Sequence, residues 1–126
     1  MPIKWLAIES LVDRIFSEKS DVWAFGVLCY EVFSKGVTPY TALTNQEMME
    51  FLQSGQRLPK PAETLDEIYE IMTSCWLKDS EERPNFSQLV GLLRVILERQ
   101  TESYGYLGYD PTLEEEEDNG DESIAL

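Results

Sequence analysis

A mainly α-helical fold is predicted for this 126-residue chain by three features. One long apolar run is closed by cap-type residues, three further segments open on capping-box signals, and no convincing alternating strand pattern appears. The run Ser20–Gly36, SDVWAFGVLCYEVFSKG, carries Ser20 as the expected N-cap and Gly36 as the expected C-cap. Between them Val22, Trp23, Phe25, Val27, Leu28, Tyr30, Val32 and Phe33 point almost all round a 3.6-residue wheel. A helix of that kind is expected to be buried on every side, as the central post of a domain.

The three shorter helices follow in order. Thr44-Asn-Gln-Glu47 precedes Met48, Met49, Phe51 and Leu52; Thr64-Leu-Asp-Glu67 precedes Ile68, Ile71, Met72 and Cys75; Asn85-Phe-Ser-Gln88 precedes Leu89, Leu92, Leu93, Ile96 and Leu97. In each, the cap side chain can accept an orphan N–H while Glu or Gln reaches back to the cap backbone. Pro39, Pro59, Pro61 and Pro84 fall in the connections, where a missing donor costs nothing. The folded part is expected to occupy residues 1–100.

Composition bounds the function. The net charge is −14, and from Glu102 onward there are nine acids and no Lys or Arg, leaving 15 acids against all 10 bases in residues 1–101. Such a surface repels nucleic acid and anionic lipid, so neither is an expected partner. No apolar run approaches the length that spans a bilayer, and no signal peptide is visible. Two cysteines, Cys29 and Cys75, are too few for a disulfide framework and match a reducing compartment. Both fall on apolar helix faces, as do Met72 and Trp76, and read as inert packing. No histidine is present, which excludes any site in this chain that needs imidazole. Residues 101–126, with their glycines and the block Glu114 to Asp118, hold too little apolar surface to offset the entropy of ordering and are expected to be mostly disordered.

The order of the pieces resembles the lower half of the large lobe of a protein tyrosine kinase. MPIKWLAIESL resembles the peptide-docking segment with its A-P-E motif, here Ala7-Ile8-Glu9; SDVWAFGVLCYEVFSKGVTPY resembles the central helix of that lobe; Cys75-Trp76 followed by Glu82 to Phe86, ERPNF, resembles the link between its last helices. The resemblance covers residues 1 to 98, with the Axl/Mer/Tyro receptor group nearest and the Met/Ron group second. Ile8 stands where the motif usually has proline, as it does in the Axl/Mer/Tyro group. Met1 then reads as the edge of a fragment; a true start codon in a truncated paralogue is the alternative.

The resemblance also implies roles. Pro2 would lie beneath the substrate phenol, Ile3 and Leu6 would line the pocket for the residue after the tyrosine, and Trp5 would anchor the loop, with Lys4 between them. The plainer reading of Trp5 and Leu6, preferred for Trp5, is that they seal the core. Glu9 and Arg83 would form a buried bidentate ion pair that pins the docking loop to the helical base. Asp21, at the start of the central helix, would accept backbone N–H groups of a catalytic loop; simple capping explains it equally well. Met48, Met49 and Phe51 would border the substrate groove, two of the three being core. Tyr104, Tyr106 and Tyr109, flanked by acids, fit phosphorylation and docking to SH2-type adaptors. Ile124-Ala125-Leu126 fits strand addition to a PDZ domain.

Phosphoryl transfer needs a Gly-rich loop, a strand lysine, an H-R-D base and a D-F-G aspartate for magnesium, and none of these motifs is in the chain. The expectation is therefore a part of a receptor tyrosine kinase that docks protein substrates on the cytoplasmic side of the plasma membrane. ATP and Mg2+ would be bound by the complete parent and not by this piece. The alternatives are a non-catalytic helical interaction module or dominant-negative product, and a fragment of a pseudokinase.

Overall fold

The computed structural model describes residues 2–104, and the expectations for Tyr106, Tyr109, the acidic block and Ile124-Ala125-Leu126 lie outside the described residues. The described residues form helices and turns with no strand. A single 3-10 turn, Ile3–Trp5, leads to α1 (Ile8–Asp13), α2 (Glu18–Phe33), α3 (Asn45–Gln53) and α4 (Asp66–Cys75). A second 3-10 turn, Ser80–Glu82, precedes α5 (Phe86–Tyr104). The chain divides into two compact units, residues 1–93 and 94–126. The first holds the docking segment and every helix up to the opening turns of α5; the described part of the second continues α5, four residues beyond the boundary expected at Gln100.

Helix α2 begins earlier than Ser20. Ser17 is the N-cap: its hydroxyl accepts the N–H groups of Lys19 (3.1 Å) and Ser20 (3.4 Å), and the Ser20 hydroxyl accepts the Ser17 N–H at 2.6 Å. This is a capping box with serine at both ends, so Ser20 is its inner partner. At the other end Ser34 closes the helix. Lys35 and Gly36 then take left-handed conformations (φ 62° and 91°), and the Gly36 N–H reaches the Glu31 carbonyl at 2.8 Å. Glycine suits that exit because a side chain at such a φ is strained.

Val22, Trp23, Val27 and Tyr30 of α2 are buried, with Met48, Leu52, Met72, Cys75, Trp76 and Leu89 around them in the same core. The crossing of α2 and α4 is tight at Gly26. A Cβ there would sit 2.7 Å from Trp76 Nε1 and 2.8 Å from Cys75 Cβ, closer than real Cβ contacts. The expectation that α2 is covered on all sides is corrected: Leu28 is 52% exposed, Val32 64% and Phe33 39%. The open flank is nevertheless apolar, unlike that of an ordinary surface helix. Ile15 and Phe16, just ahead of the helix, are exposed as well.

Two of the three capping boxes form. The Thr44 hydroxyl accepts the Glu47 N–H (3.1 Å) while the Glu47 carboxylate accepts the Thr44 N–H (2.9 Å). Asn85 and Gln88 exchange the same pair of bonds at 2.8 and 2.9 Å. The Thr64 box does not form. Leu65 holds the cap position of α4 without a side-chain cap bond, and Thr64 is buried with its hydroxyl unpartnered among the described residues. Its N–H instead closes a turn to the Pro61 carbonyl, and Asp66 and Glu67 place carboxylates in the first turn, where the helix dipole favours them. Helix α1 was not anticipated, because six residues show too little periodicity. It ends at Arg14 in the left-handed region (φ 57°), and the Ser10 hydroxyl donates to the Ile15 carbonyl at 2.7 Å.

Gly26→Ala should force α2 and α4 apart and lower stability by about 1–3 kcal/mol, read as a lower urea midpoint with an unchanged slope. The open flank of α2 should bind a fluorescent hydrophobic dye at neutral pH. The double variant Leu28→Glu, Val32→Glu should lower that signal while helical circular dichroism is retained; equal dye binding would place the apolar surface elsewhere.

Candidate substrate-docking site

The docking segment is a tight turn set on a buried stem. Pro2 enters extended (φ −59°, ψ 141°), its carbonyl accepts the Trp5 N–H at 3.2 Å, and the Ile3 carbonyl accepts the Leu6 N–H at 3.1 Å. Pro2 and Ile3 are exposed, Lys4, Trp5 and Leu6 are half-buried, and the chain then dives, with Ala7 and Ile8 fully inside. The turn packs on α2 and α3. Trp5 does not simply seal the core: its indole N–H donates to Glu31 Oε1 on α2 at 2.7 Å. Glu31 was not singled out from the sequence, where it is one acid inside a greasy run.

In the first turn of α1, Glu9 meets Arg83, 74 positions away. Arg83 Nη2 donates to Glu9 Oε1 at 2.7 Å and Nη1 to Oε2 at 2.8 Å, a fork-to-fork pair. The arginine side chain has no exposed surface and the carboxylate 15%. Two further donors are used, Nε on the Leu77 carbonyl (2.8 Å) and the second N–H of Nη1 on the Lys19 carbonyl (3.0 Å). In return the Lys19 ammonium donates to the Arg83 carbonyl at 2.7 Å. Burial by itself would raise the Glu9 pKa, but the hydrogen bonds and charge of Arg83, with a backbone N–H, outweigh it and hold the carboxyl below its ordinary value.

A second guanidinium completes this layer. Arg57 donates to the carbonyls of Trp76 (2.7 Å), Leu52 (3.0 Å) and Gln56 (2.7 Å). The guanidinium carbons of Arg57 and Arg83 lie 5.1 and 5.0 Å from the Trp23 ring centre, within cation–π range. Arg57 sits in a loop with no local pattern, so the sequence offered no signal for it.

The other expected residues are dispersed. Asp21 lies in the first turns of α2, exposed, and accepts no side-chain hydrogen bond among the described residues. On α3, Met48 is buried while Met49 and Phe51 are half-buried, and Phe51 meets Tyr40 edge-on with ring centres 6.1 Å apart. Cys75 is buried and Cys29 half-buried, and burial pushes their thiols up to about 12 and about 11, the condition of unreactive packing cysteines. Tyr104 is the last residue of α5. A cleft of about 360 Å3 beside the ion pair is lined by Ile8, Glu9, Val12, Asp13, Gln53 and Lys78.

Arg83→Ala should strand Glu9 and lower stability by about 3–5 kcal/mol, measured by denaturant unfolding; a loss below about 1 kcal/mol would make the pair a surface contact. The pair also predicts a pH signature. A carboxyl whose folded pKa lies below its unfolded value near 4.5 adds stability above that value and loses it as pH falls through the folded pKa. The stability difference between the native chain and Glu9→Gln should therefore be constant from pH 6 to 8 and shrink below about pH 4.5.

Comparison with known proteins agrees with the sequence reading. The family described as protein tyrosine and serine/threonine kinase matches residues 1–93. The chain is 54% identical over 98 residues to the tyrosine-protein kinase transforming protein RYK of avian retrovirus RPL30, covering 78% of this chain and 22% of that protein. It is 52% identical over 103 residues to tyrosine-protein kinase Mer of Mus musculus (82% of this chain, 10% of Mer). It is 45% identical over 96 residues to tyrosine-protein kinase receptor TYRO3 of Xenopus tropicalis (76% of this chain, 11% of the receptor). The chain thus spans less than a quarter of the length of these relatives. It belongs to the protein tyrosine and serine/threonine kinase family, near the Mer and TYRO3 tyrosine kinases.

Proposed function

We propose that this chain supplies the peptide-docking platform and helical base of a receptor-type protein tyrosine kinase, whose complete form transfers the γ-phosphate of ATP to tyrosine hydroxyls of protein substrates. The observation that carries this reading is an exposed Pro2–Ile3 edge on a stem locked by the buried Glu9–Arg83 fork. A tyrosine hydroxyl stands further from its backbone than a serine hydroxyl. An enzyme specific for tyrosine therefore needs a rigid surface that sets the depth of the ring, and a proline with fixed φ is suited to it. Ile3 and Leu6 beside it offer apolar contact to the following substrate residue. Asp21, an exposed carboxylate near a helix N-terminus, is placed to accept backbone N–H groups from a catalytic loop.

In this reading ATP and magnesium are held by other parts of the parent, since the Gly-rich loop, strand lysine, H-R-D and D-F-G motifs are not in this sequence. The described residues contain no cluster of three or more His, Cys, Asp or Glu that could hold a metal ion. The cleft near Glu9 offers two carboxylates and one amine, a poor cradle for a triphosphate. That chemistry is assigned to the rest of the parent. No described helix is long and apolar enough to cross a membrane, and the reading places the chain in the cytoplasmic portion of a plasma-membrane receptor. Tyr104, Tyr106 and Tyr109 are proposed phosphorylation sites for SH2-type adaptors, and the C-terminal Ile124-Ala125-Leu126 a PDZ ligand.

The test is a chimera in which residues 1–98 replace the matching segment of mouse Mer. It should phosphorylate tyrosine peptides and leave the serine versions of the same peptides untouched. Pro2→Gly should reduce peptide kcat/KM by roughly tenfold, since positioning of this kind is worth one to two decades in rate. A folded chimera that binds ATP and phosphorylates no peptide would sink the reading.

A further inference from the structure

We infer that Glu31 is a positioning residue for peptide docking: its carboxylate holds the Trp5 indole and so fixes where the Pro2–Leu6 turn sits on α2. The inference rests on the docking role proposed above, and extends it to a residue outside the docking segment.

The turn's shape and its placement have different causes. Its shape comes from two internal hydrogen bonds, Trp5 N–H to the Pro2 carbonyl and Leu6 N–H to the Ile3 carbonyl. Neither bond ties it to the rest of the molecule. Burial ties it down only in part: the turn packs on α2 and α3, but none of Ile3, Lys4 and Trp5 is fully buried. The C-terminal end of the segment is fixed by buried Ala7 and Ile8 and by the Glu9–Arg83 fork. Within the turn itself, at its last residue, the bond from Trp5 Nε1 to Glu31 Oε1, 2.7 Å, is the one side-chain hydrogen bond joining residues 2–6 to another element among the described residues. It is charge-assisted and hence among the stronger kinds. Glu31 is well chosen as a fixed point. It follows buried Tyr30 on the helix that forms the core, and its own carbonyl accepts the Gly36 N–H that closes that helix. Loss of the carboxylate would leave the turn intact but free to swing about Ala7, and Pro2 would lose its set depth beneath a substrate ring.

Two readouts test this. In the present chain, acrylamide quenching reports on Trp5, since Trp23 and Trp76 are 0% and 1% exposed. Glu31→Ala should raise the quenching constant, and Glu31→Gln, whose amide oxygen still accepts the indole N–H, should stay near the native value. In the Mer chimera, Glu31→Ala should raise the peptide KM about fivefold or more, the scale of one lost charge-assisted bond only partly transmitted to the ligand, while the ATP KM stays within about twofold. Trp5→Phe, which deletes the donor and keeps an aromatic ring, should reproduce that rise even where Glu31→Ala folds poorly. Unchanged peptide KM in both variants overturns the inference and leaves the docking role standing. Equal damage by Glu31→Gln also overturns it, because charge and not the hydrogen bond would then be at work. A parent chimera that phosphorylates no peptide removes the docking role itself, and Glu31's part in it.

Discussion

A guanidinium with no exposed surface constrains everything around it. Arg83 has been taken wholly out of water, and the desolvation of such an ion amounts to several kcal/mol unless its donors are met. Here four hydrogen bonds meet four of its five N–H groups, two to Glu9 and one each to the carbonyls of Leu77 and Lys19. Those acceptors belong to α1, to the link after α4 and to the first turn of α2. One side chain thus ties three remote parts of the chain to a single point. Remove Glu9 and the charge is stranded, so α1 keeps its place while Glu9 faces Arg83. The docking turn inherits its position from that arrangement, because it is the segment that feeds α1.

The two tryptophans at the centre follow from the same layer. Trp23 lies about 5 Å from both guanidinium carbons, so a helix that looks uniformly greasy offers its largest ring to cations as well as to apolar neighbours. Trp76 presses its indole edge onto Gly26, which fixes the separation of α2 and α4. These contacts make one flank of α2 rigid. The opposite flank, Leu28 and Val32, meets water. A helix apolar on all sides with only one side packed leaves an apolar flank in water, which costs free energy that the packed side must offset.

Legibility in the sequence tracked the range of the interaction. Boxes at Thr44 and Asn85 were readable because cap and partner lie three residues apart and nothing remote competes. Thr64 obeyed the same local pattern and failed, since its side chain is taken into the core and the chain ahead of it turns at Pro61. Ser17 is hard to read as a cap from sequence because its partner is Ser20, a weaker signal than Glu or Gln. Glu9 and Arg83 were matched across 74 positions only through the resemblance, not by any periodicity. Arg57 and Glu31 carried no local signal: each acts on a residue at least 19 positions away, Trp76 and Trp5 respectively.

Interaction range also governs how the exposed Pro2–Leu6 turn is held. A docking surface must present side chains to a partner, so Pro2 and Ile3 cannot be buried, and burial is the usual way a chain holds a segment still. The alternative is to hold a short exposed turn by directional bonds to partners on the core. The Glu9–Arg83 fork does this just beyond the turn in a nearly dry setting, where it is strong. The Trp5–Glu31 bond does it at the turn's last residue in a half-buried setting, where water competes and the bond is weaker. Motion of the turn should therefore be asymmetric, stiff toward α1 and softer toward Pro2. Pro2, at the softer end, is the residue whose height a substrate ring would feel. A proline there restricts the last backbone torsion that neither bond controls.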